Sequence, residues 1–142
     1  MQNAKIKYKI KLIQMGSFSD GLSDRFMVFV VNIIKIEKLL CKTYSGRHIY
    51  SQLFRAGTST GANYEEARAG ESKADFIHKM QIVLKELRET QFWIKLIIAG
   101  KLIASEDEGL NFLLNESKEL ANITAKSIVT AKSKVEKNRL PA

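Results

Sequence analysis

Apolar residues recur every three or four positions through four separate stretches of this chain of 142 residues. Such spacing places the apolar side chains on one face of an α-helix. The first stretch contains Phe26, Phe29, Ile33, Ile36 and Leu40. The chain has one proline, Pro141, so no proline interrupts any of the four stretches. The spacing predicts an all-α protein, and the length suits one domain.

Four amphipathic helices are expected, with connections of about two to six residues between them. The first runs from about residue 22 to 44, and the second from about 47 to 69. The third follows the ESKAD segment and continues to about residue 99, and the fourth starts at the SEDE segment, residues 105–108. Helices connected this briefly pack as antiparallel neighbours. We therefore predict an antiparallel, up-and-down four-helix bundle over residues 21–136, between a basic arm (1–20) and a basic tail (137–142).

Polar residues and glycines mark the expected ends of these helices. Ser23 or Asp24 is predicted to cap the first helix, and a turn is expected at Ser45 and Gly46. Two pairs have the spacing of a capping box at the start of the third and fourth helices. These pairs are Ser72 with Asp75 and Ser105 with Glu108.

The segment RAGTSTGANYEEARAG, residues 55–70, is rich in glycine but falls within the second predicted helix. Gly57 and Gly61 lie one turn apart on its apolar face, where two glycines cost roughly 2 kcal/mol relative to alanine. We interpret them as helix-contact glycines that allow close approach of a neighbouring helix. A phosphate-binding loop is not favoured, because no Lys-Ser/Thr pair follows and no strand precedes.

Charge is concentrated at the two ends of the chain. The net charge is +8, of which residues 1–20 carry +3 and residues 126–142 carry +4. Such ends attract polyanions. The predicted nucleic-acid-contacting residues are Lys5, Lys7, Lys9, Lys11, Lys132, Lys134, Lys137 and Arg139. The four lysines of the arm alternate with apolar residues, as in a strand, so a packed or disordered arm is the alternative to a nucleic-acid-binding one.

Other features exclude or disfavour several classes of protein. The single cysteine, Cys41, excludes a disulfide framework and is expected to be a small core or interface residue, with a reactive thiol as the alternative. The apolar run at 26–34 is much shorter than the ~20 residues of a membrane span. Asp75 and His78 form one Asp-x-x-His with no second copy, so we expect no metal and no cofactor. A cytoplasmic protein without a membrane partner is expected.

Polar stripes on the second and third helices have three interpretations. On the second helix the stripe includes Arg55, Ser59, Asn63 and Glu66, and on the third it includes Asp75, Lys79, Ile82, Glu86 and Trp93. A solvated face with pairs such as Asp75–Lys79 is the first interpretation. A subunit interface is the second, and a catalytic site is the third.

The segment FRAGTSTGANYEEARAGESKADFIHKMQIVLKELRETQFWIKLI, with LSDRF at the head of the first helix, resembles the signature of a bacterial family linked to 23S rRNA intervening sequences. The likeness covers about residues 22–120. It implies a four-helix bundle that assembles into a homopentameric ring, similar in fold to the nucleic-acid-binding accessory protein of diversity-generating retroelements. The matching positions are Arg55, Ser59, Asn63, Glu66, Asp75, Lys79, Lys85, Glu86, Glu89 and Trp93. The N-terminal KIKYKIKLIQ lies outside the pattern, and Thr60 stands where an aliphatic residue is commoner.

Three functions are compatible with these features. The first, which we predict, is a non-catalytic oligomer that associates with RNA or DNA through sequence-independent contacts with phosphates. The second is an assembly scaffold that binds another protein and has no nucleic-acid role. The third is a helical enzyme that uses Arg55, Glu66 and Glu86.

Overall fold

The computed structural model describes residues 21–139, and α-helices account for most of them. The elements are α1 (Gly21–Lys35), α2 (Glu37–Leu40), α3 (Tyr44–Arg68), α4 (Lys73–Ala99) and α5 (Glu108–Arg139). Only Ile36 separates α1 from α2, so together they form the first long helix. The described residues contain no strand. The predicted all-α class with four long helices is confirmed, and α5 includes residues 137–139 of the predicted tail.

Contacts between the helices show that neighbours run in opposite directions. Between α1 and α3, the rings of Phe26 and Tyr64 stack with their centroids 4.9 Å apart, whereas Ile33, further along α1, packs against the earlier residue Gly57. The same reversal holds between α4 and its two neighbours. Each of α1 and α4 packs on both α3 and α5, and no Cα atoms of α1 and α4 come within 8 Å within residues 21–139. This is an up-and-down square arrangement.

One continuous apolar core fills the space between the four helices. Every predicted seam residue of the first helix is buried, from Phe26 to Leu40. On α4 the seam is centred on Ile94 and Ile97, and Ile98 is only half-buried. The largest fully buried side chains are Phe26, Phe29, Ile33, Leu53, Met80, Val83, Leu87, Ile94, Ile97, Leu110, Leu113 and Leu120. The half-buried Cys41 is a free thiol that packs against this core.

The Ser72 cap is confirmed, because the Ser72 hydroxyl accepts a hydrogen bond from the Asp75 backbone N–H at 3.1 Å. The capping box proposed for Ser105 and Glu108 is wrong. Asp107 accepts from the Leu110 backbone N–H at 2.9 Å instead, and the Ser105 hydroxyl donates to Glu106. Both Asp and Ser suit an N-cap position, so the local sequence did not distinguish them.

The predicted cap of the first helix is also wrong, since α1 already begins at Gly21. Ser23 is buried inside the helix, where its hydroxyl donates to Glu65 at 2.6 Å and accepts from Arg68 at 2.8 Å. Asp24 likewise lies within the first turn of α1. A tertiary contact therefore uses the hydroxyl that was predicted to serve the helix end.

The turn between the first two long helices lies at residues 41–43 and not at Ser45 and Gly46. Thr43 caps α3 by accepting from the Gly46 backbone N–H at 3.0 Å. Gly46 is required in this first turn, because a Cβ there would overlap the carbonyl oxygen of Leu40. Only the absence of a side chain allows the end of α2 to lie this close to α3.

We predict that Gly46→Ala lowers the free energy of unfolding by more than about 2 kcal/mol, because backbone atoms must move to remove the overlap. Urea denaturation of the variant measures this loss. Gly21→Ala is the matched control, since a Cβ at Gly21 meets nothing within 4 Å. Equal stability of the two variants would contradict the role assigned to Gly46.

Candidate functional site

Opposite charges meet on one outer surface where α3 and α4 lie side by side. We call this surface the α3–α4 polar face, defined by Arg55, Glu66, Lys79, Glu86 and Glu89. Arg55 Nη1 lies 3.5 Å from Glu86 Oε2, and Arg55 Nη2 donates to Glu89 Oε2. Glu86 and Glu89 are three residues apart, so both present their carboxylates to the same guanidinium. The structure thus brings together three predicted site residues from two helices.

The second ion pair of this face lies nearer the other end of α3. Lys79 Nζ donates to Glu66 Oε2 at 2.6 Å. The expected pair of Asp75 with Lys79 is wrong, because Lys79 reaches across to α3. Asp75 forms no ion pair within residues 21–139, and its backbone N–H is engaged by the Ser72 cap. A pairing within one helix is therefore replaced by a pairing between helices.

Ser59, Asn63 and Lys85 do not join these ion pairs. The Ser59 hydroxyl donates to the Arg55 carbonyl oxygen, and the Asn63 amide donates to the Ser59 carbonyl oxygen, each at 2.8 Å. Lys85 is exposed and forms no ion pair within the described residues. Ser59 and Asn63 satisfy their donors within α3, so they contribute shape and polarity to the face but no contact across it.

Trp93 lies beside the α3–α4 polar face, four residues after Glu89. Its ring meets Phe92 edge-on with the centroids 5.0 Å apart, and its buried Nε1 has no hydrogen-bond acceptor in the part of the chain that the structure describes. Phe92 is 56% exposed, and Leu96, one turn later, is also exposed. A buried N–H donor without an acceptor is rare. The exposed side chains of Phe92 and Leu96 form an apolar patch on this side of α4, which a partner can cover.

Sequence reasoning missed a second ion cluster, between α1 and α5. Arg25 Nε donates to Glu116 Oε2 at 3.2 Å, and Arg25 Nη2 donates to Glu116 Oε1 and, at 2.5 Å, to Glu119 Oε2. The Glu116 side chain is 2% exposed. The hydrogen bonds that Arg25 donates to Glu116 raise the pKa of Arg25, against the smaller opposing effect of burial. The sequence did contain a signal for this cluster. Glu116 lies three residues after Leu113 and four before Leu120, at a position of the helix where an apolar residue is expected.

Gly57 and Gly61 both face α1. A Cβ at Gly57 would overlap the end of the Ile33 side chain, and a Cβ at Gly61 would lie 3.7 Å from Phe26 Cβ. The approach is therefore tighter at Gly57 than at Gly61. The Thr60 hydroxyl between them donates to the Gly57 carbonyl oxygen at 2.6 Å, so this buried hydroxyl has an acceptor within its own helix.

The basic residues predicted to contact nucleic acid fall into two groups. Lys5, Lys7, Lys9 and Lys11 lie outside the described residues. The others stand on the last two turns of α5, where they are exposed and form no ion pair within residues 21–139. These are Lys132, Lys134, Lys137 and Arg139.

No three His, Cys, Asp or Glu side chains within residues 21–139 are grouped so that they could hold a metal ion. Across the same residues, no helix combines the length and apolar character needed to cross a bilayer.

These features define the chain as a four-helix-bundle protein with an ionic outer face and a basic end. Comparison with known proteins gives its family. The sequence model of the 23S rRNA-intervening sequence protein family matches residues 23–126, so the chain belongs to that family. No curated protein matches it.

Among solved structures, the chain is similar to a protein of unknown function from the S23 ribosomal protein family of Bacteroides thetaiotaomicron. The two sequences are 34% identical, and their structures superpose with a TM-score of 0.69. The match covers 75% of this chain and 97% of the other. The resemblance to the 23S rRNA intervening-sequence family, predicted from the sequence, is therefore confirmed.

Tyr50, in the first half of α3, has a strongly raised pKa. Burial, followed by the charges of Glu37 and Cys41, raises the pKa of Tyr50 to about 12. An ordinary tyrosine titrates near pH ~10. The folded state therefore holds the Tyr50 proton more tightly than the unfolded state does, and this contribution to stability is complete below pH ~10 and is lost as the pH rises towards about 12.

We predict that Tyr50→Phe makes the free energy of unfolding less dependent on pH over this alkaline window, because no hydroxyl remains to ionise. Chemical denaturation at a series of alkaline pH values measures the slope of the free energy of unfolding against pH. Tyr44→Phe removes the same group from a residue that is 81% exposed and serves as the control. The same slope in Tyr50→Phe and the unsubstituted protein would contradict the assignment.

Proposed function

We propose that this protein is a non-catalytic, oligomeric helical bundle of the bacterial cytoplasm that associates with RNA or DNA through sequence-independent contacts with phosphates. One observation carries the proposal. Four exposed cations without a carboxylate partner within residues 21–139 are concentrated on the last two turns of α5. Unpaired, exposed cations attract phosphates and release counterions on binding.

The name of the family supports a link with RNA, since it refers to intervening sequences of 23S rRNA. The composition supports it as well, because the net charge of +8 is multiplied when copies assemble. Non-catalytic binding is proposed because the acidic and basic groups of the α3–α4 polar face pair with one another at an open surface. The enzymatic alternative predicts that Glu66→Gln abolishes an activity and leaves assembly intact. Dissociation of the oligomer by this substitution would instead show that Glu66 has a structural role.

We predict that the protein retards RNA and DNA at low salt and that its affinity falls steeply as salt increases. Replacing Lys132, Lys134, Lys137 and Arg139 by Gln should reduce the slope of log K against log salt by about 3, at about 0.7 for each phosphate contact with a single strand. The control replaces Lys38, Lys42, Lys95 and Lys101 by Gln, with the same change of charge. Failure of the unsubstituted protein to bind at low salt would refute the proposal.

Self-association is the second part of the proposal, and the resembled family suggests a pentamer. We assign the subunit contact to the side of α4 that carries Phe92, Trp93 and Leu96, beside the α3–α4 polar face. A neighbouring copy can cover the exposed side chains of Phe92 and Leu96. Aromatic anchors are the usual centre of such interfaces.

We predict that Phe92→Glu dissociates the oligomer, because it places a charge in the covered aromatic patch. Light scattering of the variant, with and without nucleic acid, measures its mass. Val129→Glu introduces the same group at another large apolar residue, which is 68% exposed on α5, and should leave the mass unchanged. An undiminished mass for Phe92→Glu would place the contact elsewhere.

The alternative function is an assembly scaffold that binds another protein. Its support is the outer side of the first long helix, where Met27 and Ile34 are exposed although they belong to an apolar stretch. Co-purification of one specific protein that survives nuclease treatment would favour this function over association with nucleic acid.

A further inference from the structure

The fifth helix extends well beyond the helix that packs on one of its sides. Arg25 pairs with Glu119, and Gly21 starts α1 one turn earlier, so α1 begins near the level of Ile123. From there α5 continues to Arg139, about 24 Å at 1.5 Å per residue. Within residues 21–139 no other helix continues along the side of α5 that α1 leaves free.

An open groove of about 510 Å³ occupies this position, between the start of α4 and the second half of α5. Its walls include Lys73, Phe76, Ile123, Lys126, Thr130 and Lys134. On α5 these residues follow Glu119 at intervals of three or four, so they continue the face against which α1 packs. Among the described residues, the groove therefore continues the side of α5 on which α1 packs.

The charge of this groove has one sign. Three lysines from two helices line it, and no carboxylate among the described residues does. None of Lys73, Lys126 and Lys134 forms an ion pair within residues 21–139, so no carboxylate of the described chain neutralises the groove. Lys137 lies one turn beyond Lys134 on the same face and extends the positive surface. Such a surface selects an anionic ligand.

We infer that this groove binds the sugar-phosphate backbone of a single-stranded nucleic acid, an inference that rests on the proposed function and locates its site. Lys126 and Lys134 are separated by about 12 Å along α5, which is the length of three to four stacked nucleotides at about 3.4 Å each. A groove of about 510 Å³ between two helices has room for a few nucleotides of one strand but not for a duplex. The binding mode is therefore the threading of one strand along α5.

The uncharged walls of the groove suit the remaining parts of a nucleotide. Hydroxyl groups of Ser127 and Thr130 can donate to phosphate oxygens between the lysines. The half-buried ring of Phe76 offers an apolar surface for a sugar or a base. These contacts carry no base-specific pattern, so binding is independent of sequence.

The test compares two double variants that change the total charge equally and replace one lysine on α4 and one on α5. Lys73→Gln with Lys126→Gln removes two cations of the groove, whereas Lys95→Gln with Lys118→Gln removes two exposed cations outside it. Fluorescence anisotropy with a short labelled oligouridine measures affinity at increasing salt. We expect the groove variant to bind roughly tenfold more weakly at low salt, with a slope reduced by about 1.4, and the control variant to bind like the unsubstituted protein.

Other outcomes would overturn the inference in distinguishable ways. Equal affinities of the two variants, with strong binding by the unsubstituted protein, would refute the groove and leave the proposed function standing. Absence of binding by the unsubstituted protein at low salt would refute both. If a duplex binds the unsubstituted protein as tightly as the single strand does, and binds the groove variant as weakly, the single-strand assignment would be overturned. If polyglutamate displaces the labelled oligouridine as effectively as unlabelled oligouridine does, the ligand of the groove would be an acidic polypeptide instead.

Discussion

Burial of one apolar stripe from each of four long helices is the interaction on which the other features of this protein depend. Each large side chain that is fully buried in the core contributes about 1.5–3 kcal/mol relative to its exposed state. A close approach lies between α1 and α3, where Ile33 occupies the space that a side chain at Gly57 would need. Because the helices are held this closely, residues far apart in sequence, such as Arg25 and Glu116, meet in fixed geometry.

The packed helices divide the charged residues into two groups with different consequences. Where two helices run side by side, cations face carboxylates, as in the contacts of Arg55 with Glu86 and of Lys79 with Glu66. Exposed pairs of this kind contribute little to stability, so their value lies in orientation and in partner recognition. Where α5 outruns α1, cations such as Lys126 and Lys134 stand without carboxylates among the described residues. Together with Lys73 of α4, these lysines make the groove between α4 and α5 basic.

Local sequence signals predicted the capping residue correctly at one helix end and wrongly at two others. Ser72 caps α4 as its sequence indicated, because one hydroxyl preceded a clear apolar repeat. At the start of α5, Ser105 and Asp107 were both suitable caps, and Asp107 is the one that binds the helix N–H group. Ser23 shows the opposite case, in which a residue of cap type is buried and engages Glu65 and Arg68. Cap propensity alone does not include such tertiary contacts.

The sequence by itself determined the helical class, the four apolar seams and the family, because these depend on spacing along the chain. Tertiary structure alone decided which charges pair. Lys79 was within one turn of Asp75 but binds Glu66, since antiparallel packing brings the Glu66 carboxylate of α3 to 2.6 Å from its amine. The groove was also invisible in the sequence, because only packing brings Lys73 of α4 beside Lys126 and Lys134 of α5. Contacts between helices depend on the relative positions of their ends, which no repeat within one helix specifies.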